Sequence, residues 1–529
     1  MHKKELMMIK YITKNITRYA GALSVALGML GLSSCDKGFA DLNINPDAVS
    51  NPVPAYVFTK ALYDGGGYNG HYGSSGSNFL MGTMQYTDSY NDVAGFGSKY
   101  ISSQVTQSAG AFGAAYPDEI NELAIVIKAV KDDPSKVNLL ATARIWQVYC
   151  FSKLTDLYGD IPYSQAVMGL DSSNYKPAYD AQKDIYPSLL AQLDAAAQSL
   201  DGSKTTFGAA DLIYGGNTGQ WKKFAYSLML RLGMRLTKVD IASAQSWVTK
   251  AIAAGVITQD ADIARITYVD GGQDINKNPL ILDMWNADYI AQDGVKNPEG
   301  GKYQQKFIDS LKAHSDPRLP IISVVYTAPG VTNNSVALQK GMPDNIANAI
   351  PSNFGTFSEP NPNTVLLRGS PQLIYTVAET DFLLAEAALR GWYSGATAAA
   401  SFDAGIRAAM RHWTIIAGSA GTISSTDINT YAGNNQLNTG ASFDEQMRQI
   451  YTEFWVSIFP NAQEVYNNYR RTGYPALTPN NYPTNATGGQ IFRRCLYPVS
   501  EKNLNADNYA AAVSRQGADD LMTHIWWDK

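Results

Sequence analysis

The sequence predicts a mostly α-helical protein, a helical scaffold on which much of the surface is irregular. Three observations lead there. Apolar residues recur at helical spacing through most of the chain after residue 116. Between those segments lie stretches rich in Gly, Asn, Pro and Ser at 64–78, 201–217, 267–300, 325–370 and 414–441. Connections beyond about 15 residues are uncommon unless they serve a function. The run FLLAEAALRGWYSGATAAASFDAGIRAAM (382–410) reads as two antiparallel helices. Ala385, Ala387, Ala398 and Gly405 would allow them to approach closely, and Phe402 would fill the gap.

At the N-terminus, residues 20–32 form an apolar run of 13 residues, short of the about 20 needed to span a hydrocarbon core. Lys3, Lys4, Lys10, Lys14 and Arg18 precede it against one acid, Glu5. That order is a secretory signal, with Met7 or Met8 as an alternative start. Leu32-Ser33-Ser34-Cys35 resembles the bacterial lipobox, whose cysteine is acylated with diacylglycerol and, after cleavage before it, takes a further acyl chain such as palmitate. Several chains anchor stably where one holds weakly. An ordinary signal peptide with an incidental cysteine is the alternative. Residues 1–34 are thus expected to be a signal peptide, with Cys35 as the lipidation site. Residues 35–54, polar and turn-rich (DLNINPDAVSNP), form a tether, and 55–529 form a single helical domain.

Along that domain, PDEINELAIVIKAVKD (117–132) opens with Pro and acids, as helix N-termini do. The pattern continues over 136–158 and stops at Gly159. Further helices are expected at 181–200, 218–237, 242–254, 301–313, 376–393, 397–413 and 443–471. The pair at 382–410 is similar to a tetratricopeptide (TPR) unit, although no strict period of that kind recurs elsewhere.

Composition excludes several functions. Without the segment before Cys35, 37 basic and 46 acidic residues leave a net charge near −9, the wrong sign for a nucleic-acid footprint. Cys150 lies in an apolar helical stretch and reads as a buried, inert thiol. It and Cys495 make no disulfide framework. The histidines His2, His71, His314, His412 and His524 form neither HExxH nor another metal spacing. No cofactor is expected. GGGYNGHYGSSGS (65–77) contains neither GK[ST] nor GxSxG and reads as a mobile loop. Asp156 and Asp160 could pair as glycosidase carboxylates, but Gly159 places Asp160 beyond the helix end, so no catalysis is expected.

Five stretches carry a family resemblance: FSKLTDLYGDIPYSQA (151–166), YGGNTGQWKKFAYSLMLRLGMR (214–235), ETDFLLAEAALRGW (379–392), IYTEFWVSIFPNAQEVYNNYRRTGYPAL (450–477), and the C-terminal RRCLYPVSEKNLN with IWWDK. With the lipobox and tether, this ordered set resembles the SusD/RagB family of outer-membrane lipoproteins, in its SusD-like branch. The resemblance implies about four TPR-like helix pairs supporting an irregular, loop-rich face. It also implies a surface lipoprotein that captures oligosaccharides or peptides and passes them to a SusC-type TonB-dependent β-barrel, without chemistry. The motifs also read as architecture. Gly159 would let the chain leave a helix, Asp156 or Asp160 would accept backbone N–H groups at the turn, and Arg470 and Arg471 would sit at a helix C-terminus. WWDK would pin the chain's end.

A sugar site wants flat rings and amide or carboxylate groups. The regions corresponding to the family's aromatic arc are QYTDSYNDVAGFGSKY (85–100), with Tyr86, Tyr90 and Asn91, and NPLILDMWNADYIAQD (278–293), with Trp285 and Tyr289. Tyr68 and Tyr72 on the glycine-rich loop would add to either. Alternatively, Tyr86 and Tyr90 bury one face of an amphipathic helix, and Trp285 is core. The runner-up function is a TPR-like adaptor or assembly lipoprotein without a small ligand.

Overall fold

Local chemistry sets where the helices begin. In chain order the principal helices are α1 (Pro54–Gly67), α2 (Asn121–Val130), α3 (Val137–Tyr158), α4 (Gln182–Ser199), α5 (Thr218–Arg235) and α6 (Ile241–Ala254). They continue as α7 (Val377–Leu389), α8 (Ala398–Ala417), α9 (Phe443–Ser457), α10 (Ala462–Thr472) and α11 (Ala506–Gln516). Each of α5 to α10 opens on a polar side chain that accepts a backbone N–H of its first turn: Asn217, Asp240, Thr376, Thr397, Ser442 and Asn461, at 3.0–3.3 Å. Each such cap is worth about 1 kcal/mol. Three of these caps are followed three residues on by a glutamate, Glu379, Glu445 or Glu464, which suits the positive end of the helix dipole.

The structure is a computed structural model that describes residues 52–67, 78–88, 99–100, 108–285, 301–343, 351–478 and 482–529. Within Pro54–Lys529, one compact unit, α2 packs on α3, α5 on α6, α7 on α8 and α9 on α10, while α4 lies between α3 and α5. These four hairpins are the mostly α, TPR-like scaffold that the sequence predicts. At the α7–α8 crossing a Cβ on Gly405 would stand 2.9 Å from the Phe382 ring, so the small residue does set the approach. The expected helix 443–471 is two helices. Pro460 lacks an N–H and its ring clashes with the preceding turn, so the chain turns between α9 and α10. The expected loop 414–441 contains a helix, Ser425–Asn434. No helix among the described residues is long and apolar enough to cross a membrane.

Strands are short: β1 (Thr87–Asp88), β2 (Ile161–Pro162), β3 (Tyr179–Asp180), β4 (Ala264–Ile266), β5 (Lys302–Tyr303), β6 (Ser323–Ala328), β7 (Val331–Asn333), β8 (Glu359–Pro360) and β9 (Gln372–Tyr375). They pair antiparallel as β1–β5, β2–β3, β4–β9 and β7–β6–β8. They join connecting segments in twos and one three rather than forming a layer of their own.

A chain of buried ion pairs ties the helices together. Arg231 of α5 grips Glu379 of α7 with two bonds of 2.5 and 2.7 Å. One turn later Arg235 grips Glu464 of α10 at 2.7 and 2.6 Å. Arg471 of α10 makes the same fork to Glu386 of α7 at 2.8 and 2.7 Å. Asp156 of α3 accepts from Tyr186 of α4, from Asn467 at 3.0 Å and from the Trp527 indole at 3.1 Å. Asp160 accepts a backbone N–H not of its own turn but of the first residue of α4, Gln182, at 2.8 Å. Arg470 stacks its guanidinium 4.6 Å from the Trp527 ring, which is how the WWDK end is held. Cys150 and Cys495 are buried free thiols, and burial pushes both thiol pKa values up.

Two tests follow from this packing. Gly159 has φ +77°, and a Cβ there would stand 1.8 Å from Gln516 Oε1, so Gly159→Ala is expected to cost about 2 kcal/mol or more in denaturant unfolding. Burial alone would raise the Glu386 carboxyl, but the Arg471 guanidinium, with Arg390 and Tyr451, brings it down to about 2. Its stabilising charge is therefore present above the ordinary 4.5 and is lost as pH falls toward 2. Glu386→Gln strands Arg471 and is expected to cost about 3–5 kcal/mol at neutral pH. The gap to the parent should narrow as pH drops from 4.5 to 2, read as the difference in unfolding midpoint at each pH.

Candidate functional site

Three consecutive glycines bring the end of α1 against the rest of the fold. A Cβ on Gly65 would stand 2.6 Å from Cys150 Sγ, on Gly66 2.4 Å from the Ile266 side chain, and on Gly67 2.2 Å from Gln372. The glycines that open the run read from sequence as a mobile loop are thus a packed helix end, glycine because the backbone passes between α3, β4 and β9. Lys153 of α3 donates to the Gly65 carbonyl at 3.2 Å, and burial lowers its pKa.

Beside this helix end, residues 268–285 fold against residues 366–372. Asn278 donates its backbone N–H to the Arg368 carbonyl at 2.6 Å and its amide to the Ser370 carbonyl at 3.0 Å. The Asn278 side chain also caps the short helix Pro279–Met284. That helix delivers Trp285, whose ring lies 5.0 Å from the Arg368 guanidinium. Arg368 in turn pairs with Asp270 at 3.2 Å. Trp285 is half-buried, and its indole N–H has no hydrogen-bond partner. Arg368 and Asp270 side chains remain 32% and 48% exposed, so this ring–guanidinium–carboxylate cluster can still meet a ligand. Tyr268 stacks edge-on with Tyr63 and shares a 3.3 Å hydrogen bond with Gln372.

The same segments line a cleft of about 120 Å³ that also reaches Tyr149, Lys153, His412 and Trp413. Its acids are committed: Asp156 and Glu464 face Arg235, and Glu379 is forked to Arg231. Burial and the neighbouring Glu464 push Glu379 up to about 7 despite Arg231. Burial holds the His412 imidazole neutral, its pKa down at about 4, although Asp260 stands 3.8 Å away. This arrangement can receive polar and flat groups, and the acids named here are already paired with arginines. Asp64, Asp118 and Glu122 do bring three carboxylates together. Lys60 fills that position with its own ammonium, bonded to Asp64 at 2.5 Å and to Glu122, and 3.8 Å from Asp118.

The structure divides the residues proposed from sequence. Tyr86 is fully buried: its hydroxyl donates to the Trp455 carbonyl at 2.5 Å, and its ring packs on Trp455, Phe307 and Phe459. It is core, just past the end of the short helix Asn78–Thr83, and its ring offers no face to a ligand. Trp285 sits in the cluster described above. Tyr68, Tyr72, Tyr90, Asn91, Tyr289 and Cys35 lie outside the described residues. The flanking residues of their segments are placed: Gly67 touches Gln372, Trp285 faces Arg368, and Asp88 pairs with Lys302 in β1–β5. Sequence reasoning missed Arg368, Asp270 and Gln372. Arg368 lies in the long stretch 325–370, whose length was the signal, but nothing local distinguishes it from other surface arginines.

Comparison with known families finds that residues 46–498 match the SusD-like family described as starch-binding and associating with the outer membrane. Among solved structures, a chitin-binding protein is 29% identical with a TM-score of 0.76, over 90% of this chain and 100% of that one. A SusD-like protein of the Bacteroidetes is 25% identical with a TM-score of 0.78, over the same shares. A chitin-binding SusD homologue from Flavobacterium johnsoniae shares the fold, at 24% identity and a TM-score of 0.71, over 90% of this chain and 97% of that one. Comparison with curated proteins finds no match. With its helix hairpins and a family match spanning most of its length, the chain belongs to the SusD-like family.

Proposed function

We propose that this protein is a lipid-anchored receptor of the outer membrane that captures oligosaccharides and passes them to a SusC-type TonB-dependent β-barrel. The observation that carries the binding reading is the Trp285–Arg368–Asp270 cluster, with Asn278 bracing it. An indole offers its face to the C–H side of a pyranose, while the exposed guanidinium and carboxylate serve hydroxyl and amide groups. The chitin-binding relative at 29% identity directs attention to β-linked N-acetylglucosamine chains, whose acetamido groups suit those donors and acceptors. Cys35 after its lipobox supplies the anchor, and residues 35–54 the tether. The protein performs no chemistry on the ligand. The committed acids of the cleft support that reading.

Calorimetric titration with chitin oligosaccharides tests the site. Trp285→Ala and Arg368→Ala are each expected to weaken binding about tenfold or more, about 1.4 kcal/mol, with little change in melting temperature. Tyr86→Phe, in the core, should leave affinity unchanged. Equal binding by the Trp285→Ala protein and the parent would remove the site. Recovery of the tagged chain from its membrane without a near-stoichiometric barrel would remove the uptake partner.

A further inference from the structure

A second groove, sharing no lining residue with the cleft, lies between Phe112 and Tyr116 on one side, the turn at 162–177 on another, and residues 498–501 on the third. Its volume is about 420 Å³, within the range of small-ligand sites.

Tyr175 dominates this groove. The residue is 75% exposed, yet its ring has a neighbour on one side. It lies against Gly169, where a Cβ would stand 2.9 Å from its Cε1. Glycine lets the ring rest on the backbone, so one face is supported and the other stays open. The turn beneath is fixed from within and from outside. Asn174 accepts the Lys176 N–H at 3.2 Å, Asn508 donates to the Lys176 carbonyl at 2.9 Å, and Asn505 donates to the Pro177 carbonyl at 2.9 Å.

Polar groups stand around this platform. Glu501 is oriented by the Tyr179 hydroxyl, which donates to Oε2 at 2.7 Å, and by Asn505 at 3.3 Å. Oε1 is thereby left for another partner. The Asn121 side chain lines the groove and is half-buried. The Tyr116 hydroxyl is spent on the Pro162 carbonyl at 2.7 Å, so that ring contributes its apolar body. A flat ring held open on one face, an oriented carboxylate and an amide make a carbohydrate site: C–H groups pack on the ring while hydroxyls bond the acceptors.

We infer that this groove is a second glycan subsite, in which a pyranose lies on Tyr175 and hydrogen-bonds Glu501 and Asn121. It rests on the glycan-binding reading above. A polymer that engages both sites gains avidity that a short oligosaccharide cannot, so the subsite would favour long chains at the cell surface over short ones.

The test compares four proteins: the parent, Trp285→Ala, Tyr175→Ala and the double variant. Each is titrated with chitin oligosaccharides and pulled down on insoluble chitin. Weak binding is expected to persist in Trp285→Ala and to vanish in the double variant. Tyr175→Ala alone should lower polymer retention about tenfold while changing oligosaccharide affinity less than twofold. Since Tyr175 is exposed, its loss leaves folding intact, and Glu501→Gln provides an independent second variant with the same expected direction. If Trp285→Ala abolishes all binding and Tyr175→Ala retains polymer like the parent, the subsite is overturned while the primary site stands. If the parent binds no glycan, the functional reading itself fails. If Tyr175→Ala instead lowers recovery of a membrane barrel with glycan binding unchanged, the groove is a protein-docking surface and the subsite proposal falls.

Discussion

Everything in this scaffold depends on guanidinium groups that have been taken out of water. Arg231, Arg235 and Arg471 are buried, and each is forked to a carboxylate on another helix. Such pairs contribute little net stability, because desolvation offsets most of their attraction, but losing one partner strands a charge in the interior. They therefore act on arrangement more than on stability. A one-turn slip of α5 against α7 or α10 would leave Arg231 and Arg235 facing the wrong partners. The contrast between Glu386 and Glu379 shows how local the balance is. Glu386 is held down at about 2 by Arg471, Arg390 and Tyr451, whereas Glu379 shares Arg231 with Glu464 and rises to about 7.

This rigidity reaches the binding surface through the backbone. The Arg231–Glu379 fork also holds the Ile374 carbonyl of β9 at 3.2 Å, and β9 pairs with β4. From that pair hang the two segments that meet at Asn278 and Arg368. The end of α1 closes on the same strands because residues 65–67 carry no side chains. The Trp285 cluster is thus braced by hydrogen bonds and an ion pair on one side, while Trp285 packs against the hydrophobic core to which Ile281 and Met284 of its own helix belong. That support lets it keep a half-exposed ring in one orientation and lowers the entropy lost on binding.

How much of this was legible varies by element. Helix α3 was read to within one residue because it has an apolar period and a glycine stop, both local properties. The break between α9 and α10 was missed although Pro460 marks it, because the apolar period runs through the proline on both sides. Tyr86 was read as a possible ligand contact because an aromatic beside Asp and Asn suits either a sugar or a core, and only its packing on Trp455 and Phe307 separates the two. Arg368 could not be chosen at all: its partner Asp270 is far away in sequence, and neither residue lies in a motif.

The sequence by itself determined the helical class, the glycine stop of α3 and the family, since these are written in local spacing and ordered short motifs. Only the tertiary structure decided which charges are buried partners, which aromatics face outward, and that Tyr175 rests on Gly169. Those facts depend on segments distant along the chain meeting in space, and a contact of that kind leaves no pattern in either segment alone.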